Sequence, residues 1–452
     1  MNVRVSGHPA IVAAAPFSYN RPLHIWPQTV LVGMEAARVD CVSTIPFLTR
    51  VVIAYMLDSL LDFLANGLTR ASWVSMLVYL LVVTQLTIFT VTLYYHRSQT
   101  HRGVDFHWTL NGFFRFWGWL TTGMVVREWV AIHRKHHAKV ETEEDPHSPQ
   151  VYGIKKVFWD GVSLYREASY NKADMEKYGR GTPGDWIERK LLGGHPYWGP
   201  TLMAFIDLAL FGAAGLAIWA IQMIWIPFWA AGFVNGIGHW WGYRNFESSD
   251  TATNISPWGF WIGGEELHNN HHAFPSSAKF ALRKWEFDIG WAAICTLRAV
   301  GLAKVLRVAP TLNIRPNVHL PDAETLKGVL ALRFQATTDY YRDVILPTMR
   351  EEVGHAGENM KAVPRRMRRA LADGGRWLDH EGRERLQAVM AKRPTLTTVC
   401  EFRARLVALM EQRGADNALK ALQQWIVEAE QSGIRSLQQF AQRLKGYSAV
   451  GA

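Results

Sequence analysis

Apolar residues in this 452-residue chain are gathered into blocks, and the polar residues lie between them. From Ala71 to Tyr95 the sequence ASWVSMLVYLLVVTQLTIFTVTLYY carries no charged side chain. As a helix it is long enough to cross a hydrocarbon core of about 30 Å. Thr201 to Trp241 is again nearly uncharged, with Asp207 near its start, and predicts two crossings joined by a turn near Gln222–Pro227. The expected spans are therefore 72–95, 201–221 and 224–241. Val104 to Val126 is apolar but holds His107 and Arg115. A charge in mid-bilayer is costly, so this segment predicts an interfacial or shallow re-entrant helix. Ile45 to Gly67 is interrupted by Arg50, Asp58 and Asp62 and reads as an amphipathic helix, with a fourth span as the alternative. From Pro321 onward the composition turns to charged helical sequence, with PRRMRRALADGGRW as a basic surface and solvated amphipathic helices as the expected structure.

These blocks predict a mainly α fold: a multi-span helical membrane protein with a cytoplasmic helical cap, followed by a soluble α-helical C-terminal region. The expected domains are 1–70, an N-terminal extension partly disordered; 71–310, the membrane domain; and 311–452, the C-terminal region. The apolar stretch Ala10–Pro16 is too short for a signal peptide, so residues 1–55 are expected to be dispensable, with Met56 an alternative start. His96 to Pro200 is rich in basic residues, among them Arg97, Arg102, Arg127, Arg134, Lys135, Lys139, Lys155 and Lys156, which puts this face and the C-terminus in the cytoplasm. The net charge of +10 suits anionic lipid or acidic partners. No nucleic-acid-binding signature accompanies it, so no nucleic acid is expected as a partner. Cys41, Cys295 and Cys400 form no CxxC pair and suggest neither an iron–sulfur cluster nor a disulfide framework.

The chemistry is concentrated in histidine. EELHNNHHAFP places His268, His271 and His272 within five residues; IHRKHH repeats the spelling with His133, His136 and His137; YYHRSQTHRG offers His96 and His101. Histidine is 17 of 452 residues, so a random chain would hold about 0.03 copies of His-x-x-His-His. Positions i, i+3 and i+4 share one helix face, so each triplet is expected to converge on one point. His96 and His101, at i and i+5, lie about 140° apart on a regular α-helix. Either the helix breaks there or the two serve different metals. NGIGHWWGYR adds Asn235 and His239 at the end of the last apolar block. Imidazole suits zinc, copper, iron and nickel alike. Eight clustered histidines exceed what one tetrahedral zinc takes, so two ions are the natural reading. Glu128, Glu141, Asp145, Glu265 and Glu266 are candidate acceptors for the ligands' free N–H groups. The isolated His8, His24, His319, His355 and His380 are expected to be ordinary surface or core residues.

HRSQTHR, EWVAIHRKHHAKVETEEDPHSPQ, NGIGHWWGYRNF and GGEELHNNHHAFPSSAKFALRKWEFDIGW resemble the histidine boxes of membrane fatty acyl desaturases, the stearoyl-CoA desaturase type in its bacterial form. The resemblance covers about Ser72 to Pro310. It implies a pair of iron ions held by His96, His101, His133, His136, His137, His239, His268, His271 and His272, with Asn235 acting through a water. Glu128–Trp129 and Glu265 match as well, as does Asp145 to His147, whose histidine reads as a supporting residue. Trp129 is a candidate substrate contact, and Glu128, Asp145, His147 and Glu265 are candidate partners behind the ligands. The implied reaction is O2-dependent insertion of a cis double bond, at the Δ9 position, into a saturated long-chain acyl group. An unactivated methylene has no acidic proton, so acid–base catalysis is useless there and an oxygen-activating metal cofactor is required. Acyl-CoA is the implied carrier and a glycerolipid acyl chain the alternative. Animal members have Arg-Asp before the second box where this chain has Ala131–Ile132, and no His-Pro-Gly-Gly haem motif is present. Electrons are therefore expected from a separate ferredoxin-type or cytochrome b5-like protein fed by an NAD(P)H reductase. The implied location is a bacterial inner membrane.

Two rival readings remain at the level of sequence. A membrane di-iron fatty acyl or lipid hydroxylase would share the boxes but return oxygen to carbon. A metal transporter would place its ionisable groups inside the spans, whereas these histidines flank them.

Overall fold

The computed structural model describes residues 41–355, 364–412 and 414–451. The expectations for residues 1–40, including His8 and His24, lie outside the described residues, as do the side chains of Cys41, Arg365 and Arg366. The chain forms two compact units, Met1–Ser59 and Leu60–Ala452. The segment Ile45–Gly67 expected as an amphipathic helix belongs to one helix, Cys41–Asn66. Every described side chain from Thr49 to Leu61 is exposed, so no buried stripe marks one of its faces there.

Two helices among the described residues are long and apolar enough to cross a membrane, Trp73–Thr100 and Ala213–His239. The first is started by Ser72, whose hydroxyl accepts the Ser75 N–H at 3.2 Å. Its threonines satisfy themselves by bonding back one turn, Thr84 to the Leu80 carbonyl, Thr87 to Val83 and Thr90 to Leu86. That lets them sit in an apolar helix without a stranded hydroxyl. Leu77, Leu81 and Val82 here, with Leu202, Phe205, Ile221 and Ile224 on the later helices, face outward as a bilayer-covered surface would.

The expected spans 201–221 and 224–241 are corrected in their junction. The chain turns at Gly212, after the short helix Trp198–Phe211, and not at Gln222–Pro227. Gly212 adopts φ +63 and ψ −144, and a Cβ there would collide with the carbonyls of Phe63 and Leu64, so only glycine makes this turn. Pro227 continues the helix as the first residue of a π-helical stretch, Pro227–Gly236. Its missing N–H is tolerated where the hydrogen-bond register is changing.

Val104–Val126 is a strand followed by a helix. Val104–Phe106 pairs antiparallel with Ala303–Val305, and His107 caps the helix Trp108–Thr122. Arg115 on that helix forms a two-pronged pair with Asp185 at 2.8 and 2.9 Å and reaches Glu188 at 3.1 Å. Its charge is thus neutralised within the protein.

Arg97 ties the end of the first long helix to the segment carrying the last histidine triplet. It is fully buried against Asp288 at 2.9 Å, donates to the carbonyls of Gly263 and Ala278 at 2.8 Å each, and lies 3.8 Å over the Phe280 ring. Beyond it, strand Thr311–Ile314 pairs antiparallel with Tyr447–Val450, so the end of the chain returns to the start of the C-terminal region. The helices between are more than solvated amphipaths. They bury Val329, Tyr340, Leu396, Leu406, Leu422, Trp425 and Phe440 in one core.

Removing Arg97 leaves Asp288 charged and unpaired in the interior, at a cost of about 3–5 kcal/mol. Arg97→Leu is expected to lower the unfolding temperature of the detergent-solubilised protein sharply. Arg405→Ala, which breaks an exposed pair with Glu428, should leave it nearly unchanged. Equal unfolding temperatures would contradict this account.

Candidate metal centre

The histidines assemble into two groups. His96, His101, His133, His137 and His271 form one; His136, His239, His268 and His272 form the other, with the prospective ligand atoms of each group within 4.8 Å of one another. All nine of the histidines singled out in the sequence are thus brought together, in a partition that its periodicity does not give.

The expectation that each His-x-x-His-His triplet converges on one point is corrected. In the helix Val126–Lys139, His133 and His137 enter the five-histidine group while His136 enters the other. In the short helix His268–Ala273 the division is reversed: His268 and His272 enter the four-histidine group and His271 crosses to the first. The reason is angular. Positions i and i+4 lie about 40° apart, whereas i+3 and i+4 differ by about 100°. Two helices facing each other this way interleave their imidazoles around two centres.

His96 and His101 also meet in one group, their ring centroids 4.9 Å apart. Neither a helix break nor a division between metals is needed, because Thr90–Thr100 is π-helical. The His101 N–H donates to the His96 carbonyl at 3.2 Å, and Thr100 Oγ1 to the Tyr95 carbonyl at 2.8 Å. A turn closing on i+5 stacks i and i+5 on one side, which an α-helix does not.

The Nε2 atoms face inward. His96 and His271 approach to 3.1 Å, His271 and His137 to 2.9 Å, His137 and His133 to 3.1 Å, and His268 and His239 to 3.0 Å. Ligands about 2.1 Å from one ion at right angles stand about 3 Å apart. His101, His136 and His272 present Nε2 atoms that are buried without a partner, the mark of a donor set made for a cation. Burial, and then the neighbouring imidazoles, hold His101, His133, His137, His268, His271 and His272 well below the ordinary histidine range. They are neutral, as metal ligands must be.

Carboxylates orient four of the rings from behind. Glu265 meets His96 Nδ1 at 2.8 Å, Asp145 meets His136 Nδ1 at 2.9 Å, Asp250 meets His272 Nδ1 at 2.9 Å, and Glu141 meets His239 Nδ1 at 3.3 Å. Each such contact fixes a proton on Nδ1 and leaves Nε2 for the metal. Burial alone would raise Asp145, but His136 beside it pulls the carboxyl well below its usual range. Burial would likewise lower His136, and the Asp145 charge reverses it. Glu141 reaches His239 from a left-handed backbone, φ +60. Its own N–H is held by Asp145 at 2.7 Å.

Other expected partners fall differently. Glu128 makes no contact with a histidine of either group. It lines the adjoining cavity, and burial raises its carboxyl. Glu266 accepts the backbone N–H groups of Trp261, Ile262 and Gly264 and shapes the turn before the third box. His147 stacks on His136 with centroids 4.3 Å apart and completes a cluster with Asp145. Trp129 lies flat on His133, at 5.0 Å and 13°.

Asp250 was not legible in the sequence: it belongs to FESSDTATN, just beyond NGIGHWWGYRNF, with no spacing to mark it. The network under the third box was missed too. Asn270 accepts from Asn245 at 2.8 Å and Asn254 at 3.0 Å and donates to Glu286 at 2.7 Å. The paired asparagines between histidines in HNNHH were the available signal.

A cavity of about 390 Å³ opens beside the metal groups. His96, His133, His147, Asn235 and Glu265 stand in its wall with apolar Ile88, Val91, Ile132, Val157, Ile226 and Val234. Asn235, expected to act through a water, lies in the π-helical stretch just before His239.

Nine histidines gathered at and beside the ends of two long apolar helices, next to a largely apolar cavity, make a candidate metal centre that a hydrocarbon chain could reach. Residues 71–288 match the family model described as fatty acid desaturase. A second model, described as a transposase, matches residues 338–449, which contribute none of the grouped histidines. A probable chloroplastic lipid desaturase of Arabidopsis thaliana is 32% identical over 53% of this chain and 62% of its own length. An sn-1 stearoyl-lipid 9-desaturase of Anabaena variabilis is 29% identical over 53% of this chain and 86% of its own. An acyl-CoA C20 Δ5-desaturase of Anemone leveillei is 32% identical over 54% of this chain and 77% of its own. The chain belongs to the fatty acid desaturase family.

Losing an orienting carboxylate behind a ligand typically lowers metal affinity about 10- to 100-fold. Asp145→Asn is expected to speed loss of bound metal to a chelator by that order while the folded protein persists. Unchanged release would refute the orienting role.

Proposed function

We propose that this protein catalyses O2-dependent desaturation of a saturated long-chain acyl group to the cis monoene, between carbons 9 and 10, with acyl-CoA as the carrier. The nine histidines hold two iron ions, His96, His101, His133, His137 and His271 around one and His136, His239, His268 and His272 around the other, with Asn235 acting through a water. The observation that carries the reading is the apolar cavity with His96, His133, Asn235 and Glu265 in its wall, which lets a methylene chain lie against the metal groups. When bound, the iron pair supplies O2-derived oxidising power that no side chain here possesses.

The balance is one acyl –CH2–CH2– group, O2, two electrons and two protons giving –CH=CH– and two waters. This chain's residues position rather than react. The four carboxylates hold protons on Nδ1 of His96, His136, His239 and His272 and point the rings inward. Ile88, Val91, Ile132, Val157 and Val234 exclude water and align the chain. Trp129 keeps the His133 ring in its plane and contacts the substrate.

In this reading the protein lies in a bacterial inner membrane with the histidine cap and the C-terminus cytoplasmic, and the two long apolar helices support the membrane part of it. Residues 1–70, 71–310 and 311–452 act as extension, membrane domain and soluble helical region. The two electrons come from a separate ferredoxin-type or cytochrome b5-like donor with its NAD(P)H reductase, drawn to the basic face by charge attraction that salt weakens.

Expression in a host lacking its own desaturase, with mass-spectrometric localisation of double bonds, is expected to show a cis Δ9 monoene. His272→Ala should abolish it and His319→Ala should not. A hydroxylated chain as the main product would hand the site to the hydroxylase reading. With purified protein, NADPH alone is expected to give no turnover until donor and reductase are added, and the rate should fall as salt rises. Turnover without a donor would overturn the electron route.

A further inference from the structure

We propose that the C-terminal helical region is a positioning element for the four-histidine group, acting through the segment Glu247–Thr251. This rests on the reading of that group as an iron site, and it concerns residues outside the matched desaturase segment 71–288.

The segment between His239 and the third box carries both groups that reach the four-histidine cluster from this side. Asp250 Oδ2 meets His272 Nδ1 at 2.9 Å. Thr251 donates its N–H to Glu141 Oε1 at 2.8 Å, and the same oxygen faces His239 Nδ1. Thr251 Oγ1 also donates to the His239 carbonyl at 2.8 Å. A shift of this short stretch therefore moves the partners of two ligands at once. Among the described residues, Asp250 and Glu141 pair with His272 and His239 of the four-histidine group, and the carboxylate paired with the five-histidine group is Glu265.

What fixes the stretch comes from two directions. From beneath, Asn269 accepts from the N–H groups of Asn245 and Phe246, and Arg244 donates to the carbonyls of Ser248, Asp250 and Ala252. From above, the C-terminal region closes on it. The Glu247 N–H donates to Thr338 Oγ1 at 2.8 Å and the Glu247 carbonyl accepts from Thr337 Oγ1 at 3.3 Å. Arg376 donates to the Ser249 carbonyl at 2.6 Å, and Arg283, which also holds the Asn245 carbonyl, reaches Gln335 at 3.2 Å. Thr337 and Thr338 are buried, so their two contacts with Glu247 are interior ones. Of the peptide groups gripped from above, the Ser249 carbonyl belongs to the bond that leads into Asp250 and the Glu247 pair lies three residues before it. A ligand's orienting partner displaced by less than an ångström loses most of its hydrogen-bond geometry.

The clamp is tested on the full-length protein loaded with iron, by iron per chain and by the Mössbauer spectrum. Thr338→Val combined with Arg376→Ala is expected to lower bound iron from two toward one per chain, the retained iron giving the signature of an isolated ion. Thr338→Ser, which keeps the hydroxyl, should restore two. Arg405→Ala, elsewhere in the same region, should retain two. Arg376→Ala alone removes only an exposed contact and leaves the core untouched, so its chelator-challenge release should be biphasic, with one iron leaving several-fold faster. Two irons with an unaltered spectrum in the double variant, or uniform release in the single one, would overturn the proposal. A parent protein that binds no iron pair would instead sink the functional reading on which it rests.

Discussion

Imidazole nitrogens facing one another about 3 Å apart in a buried space repel when both are protonated and oppose their lone pairs when both rings carry the proton on Nδ1, and a cation between them relieves either clash. Much of the surrounding structure serves that constraint. Burial keeps His101, His133, His137, His268, His271 and His272 neutral, carboxylates behind four of the nine rings settle which nitrogen carries the proton, and the two long helices carry His96 and His239 at their ends. The buried Arg97–Asp288 pair then fastens the first box to the segment bearing the third. An ion pair so deep is weak evidence of net stability. Its value here is registration, because the same guanidinium also holds Gly263 and Ala278 by their carbonyls.

The two groups are electrostatically unequal. Five imidazoles share one carboxylate partner, Glu265, in the first; four imidazoles are served by Asp145, Glu141 and Asp250 in the second. Each carboxylate raises the basicity of the ring it holds and adds negative charge near the ion. The four-histidine group thus makes up in charge what it lacks in ligand number. Asn235 stands in the wall of the adjoining cavity.

Sequence pattern reached the helical class, the long apolar segments and the eight histidines of the three clusters, because each rests on composition or spacing that a short window displays; His239 joined them only through the resemblance to the desaturases. It failed where the geometry is set by register or by distant partners. His96 and His101 looked incompatible with one site since the α-helical period was assumed, and a π-helical turn cannot be read from TVTLYYHRSQT. The triplets looked like single-site motifs because sharing a face was taken as sharing a centre. Pro227 looked like a turn, although the glycine-only conformation that makes the turn belongs to Gly212. Asp250 had no local signature at all: it matters only because the chain folds back to bring it beside His272.

The C-terminal region shows why a match to a family model and a role in a site are separate matters. Its likeness to a transposase model covers helices that bury Tyr340, Leu406, Trp425 and Phe440 against one another, a packing solution open to any amphipathic helical sequence with that spacing. None of its described residues joins the histidine groups. Its coupling to the metal centre comes instead from a few polar side chains at its edge, Gln335, Thr337, Thr338 and Arg376, which reach Arg283, Glu247 and Ser249. A helical unit with a core of its own is a stiff support, and stiffness is what a short loop bearing Asp250 lacks when held by Arg244 and Asn269 alone. The physical link between this region and the chemistry therefore runs through backbone groups, where sequence comparison has least to read.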